Sequence, residues 1–113
     1  MSRITTHVLD TSRGRPAAMV PVRLDARRDG AWLPLGQGAT DGDGRLRTLL
    51  PDETPLDGGT YRLVFDTGAY FGAQGLQTFY PRVVVEFTVE AGQSHYHVPL
   101  LLSPFGYTTY RGT

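Results

Sequence analysis

The chain of 113 residues contains no cysteine, which removes disulfide staples, thiolate metal sites and a cysteine nucleophile together. Its fold has to be held by packing. It contains no lysine either: all 11 cations are arginine, and 11 Asp and Glu residues balance them to a formal net charge of zero. No overall field therefore favours nucleic acid, an anionic membrane or acidic substrates, and any basic site must be local. Arginine in place of lysine throughout reads as genome composition more than function. No apolar run approaches the roughly 18 residues of a membrane span, and the opening MSRITTHVLD lacks the uninterrupted apolar core of a secretory signal. A soluble, cytoplasmic protein is expected. There is no Rossmann or P-loop glycine fingerprint, so nothing suggests a nucleotide cofactor.

What the chain has instead is turn chemistry and short apolar runs. Gly 14 and Pro 8 punctuate it, a pattern of many strands joined by tight turns. A length near one domain places residues 1–113 in a single unit with a usable but not generous core. Alternation in Ile4 to Asp10 sends Thr5, His7 and Leu9 to one face and Ile4, Thr6 and Val8 to the other. Val20, Val22, Leu24 and Ala26 alternate with Pro21, Arg23, Asp25 and Arg27 as a half-buried strand. After the hairpin signal Asp29-Gly30 comes Ala31 to Leu35, whose Pro34 argues for a sheet edge, and Gly36 to Gly38 then loosens the chain. Thr60 to Thr67 forms a strand with Tyr61, Leu63 and Phe65 on one face. Gly68 to Gln77 breaks the alternation and has room for only a turn or two of helix. Val83, Val85, Phe87 and Val89 mark one more strand.

The end of the chain, HYHVPLLLSPFGYTTYRGT, organises the rest. Read at the strand period, His95, His97, Pro99 and Leu101 share one face, and Val98, Leu100 and Leu102 the other. Ser103-Pro104-Phe105-Gly106 is a turn, and Tyr107 to Tyr110 a second strand paired back on the first. The total of about eight short strands with one small helix and no internal repeat reads as an antiparallel β-sandwich.

The candidate chemistry rests on the histidines, of which there are only three, His7, His95 and His97. His95 and His97, two apart on a strand, face the same way and with His7 could in principle make a three-histidine zinc site, although such spacing alone is a weak signal. The alternating carboxylates of Thr40-Asp41-Gly42-Asp43-Gly44-Arg45 invite a calcium reading. An EF-hand loop needs a bidentate acid at its twelfth position; here that position is Asp52, beyond Leu49, Leu50 and Pro51. A turn presenting Arg45 is the better reading, and on spacing alone either Arg45 or Arg47 could point into a site. Imidazole titrates near working pH, so two histidines and a guanidinium suffice for an amide hydrolysis without a serine or cysteine nucleophile.

The C-terminal stretch closely resembles the signature of the transthyretin-like 5-hydroxyisourate hydrolases, which ends in Tyr-Arg-Gly-Ser; Thr113 is the visible departure. THVLDTSRGRPA resembles the N-terminal motif of that family, and TYRLVFDTGAYF followed by TFYPRVVVEF the two strands around its single short helix. The resemblance implies a transthyretin-like (prealbumin-like) sandwich that opens the six-membered ring of 5-hydroxyisourate to give 2-oxo-4-hydroxy-4-carboxy-5-ureidoimidazoline, with no metal and no cofactor. It carries the catalytic set onto His7, Arg45, directly after the Asp-Gly turn, and His97. Tyr110, Arg111, Gly112 and Thr113 are implied to line the same pocket. His7 or His97 is left as the base, and His95 is as much a structural as a catalytic candidate. The family also implies a homotetramer with sites at the interface between dimers. The hormone-carrying branch of the same fold is the alternative, and it lacks the combination of His7, Arg45, His97 and a Tyr-Arg-Gly ending.

Overall fold

The computed structural model describes residues 2–93 and 95–113. Its elements are β1 (Ile4–Asp10), β2 (Arg15–Pro16), β3 (Pro21–Arg28), β4 (Ala31–Ala39), β5 (Arg45–Leu46), β6 (Gly59–Phe65), α1 (Thr67–Gly72), β7 (Val83–Val89), β8 (Tyr96–Ser103) and β9 (Gly106–Thr109). They form two sheets, one ordered β2-β1-β8-β9 with β5 also against β1, the other ordered β4-β3-β6-β7. This is an all-β sandwich with one short helix.

The core lies between the sheets and follows the period of two. Ile4 and Val8 of β1 meet Leu100 and Leu102 of β8, and Leu24, Leu63, Phe65 and Val83 come from the facing sheet, all of them essentially inaccessible. Burying side chains of this size contributes about 1.5–3 kcal/mol each, which is how a chain without disulfides holds together. The helix starts where Asp66 accepts the Ala69 N–H at 3.0 Å, and it buries Tyr70 and Phe71.

Three features depart from the alternation pattern. Within the antiparallel sandwich, β1 and β8 pair in parallel, with Thr5 opposite His97 and His7 opposite Pro99; β7 and β8 lie in different sheets, so β8 is free to enter beside β1 in either sense. The segment Gly36 to Gly38 does not loosen: β4 runs on to Ala39. A Cβ on Gly36 would lie 1.8 Å from the Leu49 carbonyl oxygen, so glycine there lets a neighbouring backbone close on the strand. The register of β3 against β4 shifts between Leu24 and Asp25, and Leu24, Asp25 and Ala26 are all buried. The proline of β4 does sit on a sheet edge.

Candidate active site

β1 supplies the frame of the site. Thr5 and His7 share its outward face, and the strands on either side bring partners to them: His97 of β8 opposite Thr5, and Arg45 of β5 opposite His7. Directly opposed residues on neighbouring strands hold their Cβ atoms about 5 Å apart, so the pairing delivers an imidazole beside a guanidinium before any side chain is oriented.

The turn before β5 is built to present that guanidinium. The Asp41 carboxylate accepts the N–H groups of Asp43 at 2.9 Å and of Arg45 at 3.0 Å. The Arg45 N–H, followed by that of Asp43 and the charges of Arg47 and Arg45, holds the Asp41 carboxyl below the usual carboxylate range. Gly44 sits at φ 77° and donates its N–H to the Asp41 carbonyl at 2.9 Å, while its own carbonyl accepts the Val8 N–H at 2.8 Å. A Cβ on Gly44 would lie 2.4 Å from the Val8 carbonyl oxygen, so only glycine allows the turn to lie this close to β1. His7 Nε2 lies 2.9 Å from the Asp43 carbonyl oxygen. A carbonyl can only accept, so His7 carries a proton on Nε2 and is tied by it to the turn that carries Arg45.

On the other side, Thr5 Oγ1 lies 2.8 Å from His97 Nδ1 and 3.1 Å from His95 Nε2. The tail of the chain returns over this face: the Gly112 N–H donates to the His97 carbonyl at 2.8 Å. Thr5, Thr6, Arg45, Arg47, His95, His97 and Thr113 line one open cleft of about 170 Å³. Its charged side chains, Arg45 and Arg47, are both cationic, in a chain whose formal net charge is zero. Burial holds the His97 pKa below the ordinary histidine value, and the neighbouring His95, Arg45, His7 and Arg47 push it the same way. His97 is therefore neutral near pH 7 and able to accept a proton.

Of the residues singled out in the sequence, Arg45, His97 and Thr113 line this cleft together. His7 stands just beyond it, opposite Arg45. Gly112 packs on the His97 ring. Tyr110 and Arg111 face an adjoining hollow of about 220 Å³, also lined by His97, between β7 and the inner side of β8. There the Arg111 guanidinium lies 4.8 Å from the centre of the Tyr96 ring. The sequence reading does not single out Thr5, which lines the cleft; its place on the His7 face of β1 is the signal for it. A wider hollow of about 600 Å³ on the second sheet, beside Arg23, Asp66 and Arg82, contains no histidine and no group suited to proton transfer near neutral pH. Among the described residues, no group of three or more His, Cys, Asp and Glu side chains is placed to hold a metal ion. Among the same residues, no helix is long and apolar enough to cross a membrane.

Comparison with known proteins gives the same region a context. The HIUase/Transthyretin family model matches residues 4–112. The 5-hydroxyisourate hydrolase of Salmonella typhimurium is 46% identical over 110 residues, 97% of this chain and 80% of that protein. The mouse 5-hydroxyisourate hydrolase is 45% identical over 114 residues, 99% of this chain and 96% of that protein. Among solved structures, Klebsiella pneumoniae 5-hydroxyisourate hydrolase superposes with a TM-score of 0.85 at 38% identity, over the whole of both chains. Sea bream transthyretin in complex with thyroxine superposes with a TM-score of 0.88 at 35% identity, covering 98% of this chain and 95% of that one. The architecture is thus common to a hydrolase and a thyroxine-binding protein, and the side chains on the outward face have to separate the two.

Proposed function

The chain belongs to the HIUase/Transthyretin family, and we propose that within it residues 1–113 act as one domain that hydrolyses 5-hydroxyisourate in urate breakdown. The observation that carries this reading is the convergence of Arg45 and a neutral His97 in one cleft, with His7 tied to the turn beside them. The thyroxine complex formed by sea bream transthyretin needs no base, whereas this face is supplied with one.

The chemistry follows from the positions. His97 Nδ1 is engaged by Thr5, which leaves Nε2 as the nitrogen that takes a proton from water. The water oxygen adds to a ring carbonyl of the substrate, the carbonyl oxygen becomes negatively charged, and the Arg45 guanidinium stabilises it. The carbon–nitrogen bond then breaks and the departing ring nitrogen receives the proton that His97 holds, which restores the neutral imidazole. This sequence opens the ring to 2-oxo-4-hydroxy-4-carboxy-5-ureidoimidazoline. It uses no serine or cysteine nucleophile. His7, whose Nε2 proton is committed to Asp43, fixes the Asp-Gly turn and with it Arg45.

A homotetramer and a cytoplasmic location go with this reading. The cleft of one chain, about 170 Å³, is smaller than the roughly 300 Å³ at which ligand pockets begin, and it is open on one side. A second subunit laid over the face would supply the missing wall and exclude water. Tyr110, 57% exposed, and Arg111 lie at the margin where such a subunit would meet the tail.

The test is direct. Freshly generated 5-hydroxyisourate is mixed with the protein and its absorbance followed against spontaneous decay, with thyroxine binding measured on the same preparation. Accelerated decay without thyroxine binding supports the hydrolase; thyroxine binding with decay at the spontaneous rate supports a carrier.

A further inference from the structure

Of the two histidines of the His-Tyr-His sequence, His97 lies in β8 and His95 just before it, and the extended chain holds them apart. Their ring centres are 6.4 Å apart and the rings are within 12° of parallel, which is close to the repeat of two residues along a strand and too wide for the rings to touch. A single atom bridges the gap. Thr5 Oγ1, on the neighbouring parallel strand, is 2.8 Å from His97 Nδ1 and 3.1 Å from His95 Nε2, and Thr5 is only 3% exposed. Its backbone lies directly opposite His97 in the β1–β8 register, so the contact is set by the sheet and not by a mobile side chain.

A hydroxyl has one hydrogen and two lone pairs. Placed between two neutral imidazole nitrogens, it can donate to one and must accept from the other, so the proton positions of the two rings are linked. If Thr5 donates to His97 Nδ1, the proton of His97 sits on Nε2 and the nitrogen facing the cleft cannot act as a base. If His97 Nδ1–H donates to Thr5, Nε2 is bare, and the Thr5 hydrogen goes to His95 Nε2. The second arrangement also suits the imidazolium formed after proton uptake, because Nδ1–H still donates to the same oxygen. No group has to turn over during the reaction.

Resting on the hydrolase reading, we propose that Thr5, with His95 as the acceptor for its hydrogen, is a positioning residue that fixes the proton of His97 on Nδ1 and keeps Nε2 free toward the cleft. His95 thereby has a role without touching substrate: it draws the Thr5 hydrogen away from His97 and polarises the hydroxyl into a better acceptor. His7 on β1 and Arg45 and Arg47 on and after β5 also act on the charge of His97, and Glu86, Tyr110 and Arg111 share the adjoining hollow with it.

The experiment is nitrogen-15 NMR of the imidazoles in the intact protein, combined with hydroxyisourate kinetics, for wild type, Thr5→Val, Thr5→Ser and His95→Leu. In the wild type His97 is expected as the Nδ1–H tautomer. Thr5→Val keeps the shape, removes the hydroxyl, and is expected to move His97 toward the Nε2–H form and lower kcat about 10- to 100-fold with little change in KM. Thr5→Ser is expected to restore both. His95→Leu, at a more accessible position, is expected to shift the tautomer in the same direction and serves if Thr5→Val does not fold. An Nε2–H tautomer in the wild type, or an unchanged tautomer and kcat in His95→Leu and a folded Thr5→Val, would overturn the proposal. The tautomer reading needs no turnover. Its success in a protein inactive on hydroxyisourate would leave this inference standing and remove the hydrolase reading.

Discussion

Gly112 lies against the imidazole of His97 so closely that a methyl group in place of its hydrogen would come 2.5 Å from Cδ2, and 3.2 Å from Cγ of Pro99. The penultimate residue of the chain therefore acts as a stop for the ring, and its N–H holds the His97 carbonyl at 2.8 Å. Nothing larger than glycine fits without moving the ring or the tail. Position, not backbone conformation, requires it.

Gly112→Ala is accordingly expected to lower kcat/KM on hydroxyisourate by about 10- to 100-fold, because a displacement of order 1 Å at a reacting group costs that much. The residue sits in a partly exposed terminal segment, so the melting temperature is expected to move by no more than a few degrees. Steady-state kinetics and a thermal melt on the same sample check both halves of the expectation.

The acid limb of the rate profile reports on His97. Protonation would remove the base proposed for the cleft, and burial together with the surrounding positive charge holds its pKa below the ordinary histidine value. The rate is therefore expected to fall only at a pH below that value, and to hold through neutrality. Arg47→Gln removes one of the cations that depress the pKa. It is expected to shift the acid limb upward in pH, and a downward shift in kcat/KM profiles would contradict the electrostatic origin.

Gly44 carries the second steric requirement. At φ 77° and with the Val8 carbonyl in the way, Gly44→Ala meets both backbone strain and a clash, together about 2 kcal/mol or more. The turn that presents Arg45 would have to move away from β1. Denaturant unfolding is expected to show the loss in stability, and added guanidinium is not expected to restore activity, since the arginine is present but misplaced.

A pH-dependent part of the stability comes from the other sheet. Asp25 is 1% exposed; burial alone would raise its carboxyl, but bonds from Arg23 and Arg62 outweigh this and hold it below the usual range. Both arginines donate through Nε at 2.8 Å. Its contribution is therefore full above the unfolded carboxylate value, about 3.9, and is lost as pH falls through the lower folded value. The Arg23 side chain is 40% exposed, so Asp25→Ala is expected to cost about 1–3 kcal/mol, below the range for a fully buried pair. Its stability is also expected to fall less than that of the wild type on acidification below about pH 4. Urea unfolding at neutral and acid pH measures both.

The outward face of β1 was legible because His7 falls mid-strand at an unambiguous period of two, and the bounds Ile4–Asp10 needed no tertiary information. The edge position of β4 followed from Pro34 in the same way. The choice of Arg45 over Arg47 was not available from spacing; in the structure both line the cleft, and only Arg45 stands in a strand register opposite His7. What local pattern could not give were the partners. Thr5 comes to face His97 only through the parallel pairing of β1 with β8, which no turn signal encodes. Gly36 reads as a loosening residue in the sequence, which cannot show that the Leu49 carbonyl lies against it. Arg111 follows Tyr110 in a stretch that reads as one unit, yet its guanidinium is drawn over the Tyr96 ring, away from Arg45.

The decisive measurement is the rate of hydroxyisourate decay with His97→Ala protein whose circular dichroism and oligomeric mass match those of the wild type. The expected result is a loss of at least about 100-fold in kcat/KM, the contribution of a positioned base. Decay as fast as with unmutated protein would contradict the assignment of the base, and with it the mechanism proposed for the cleft.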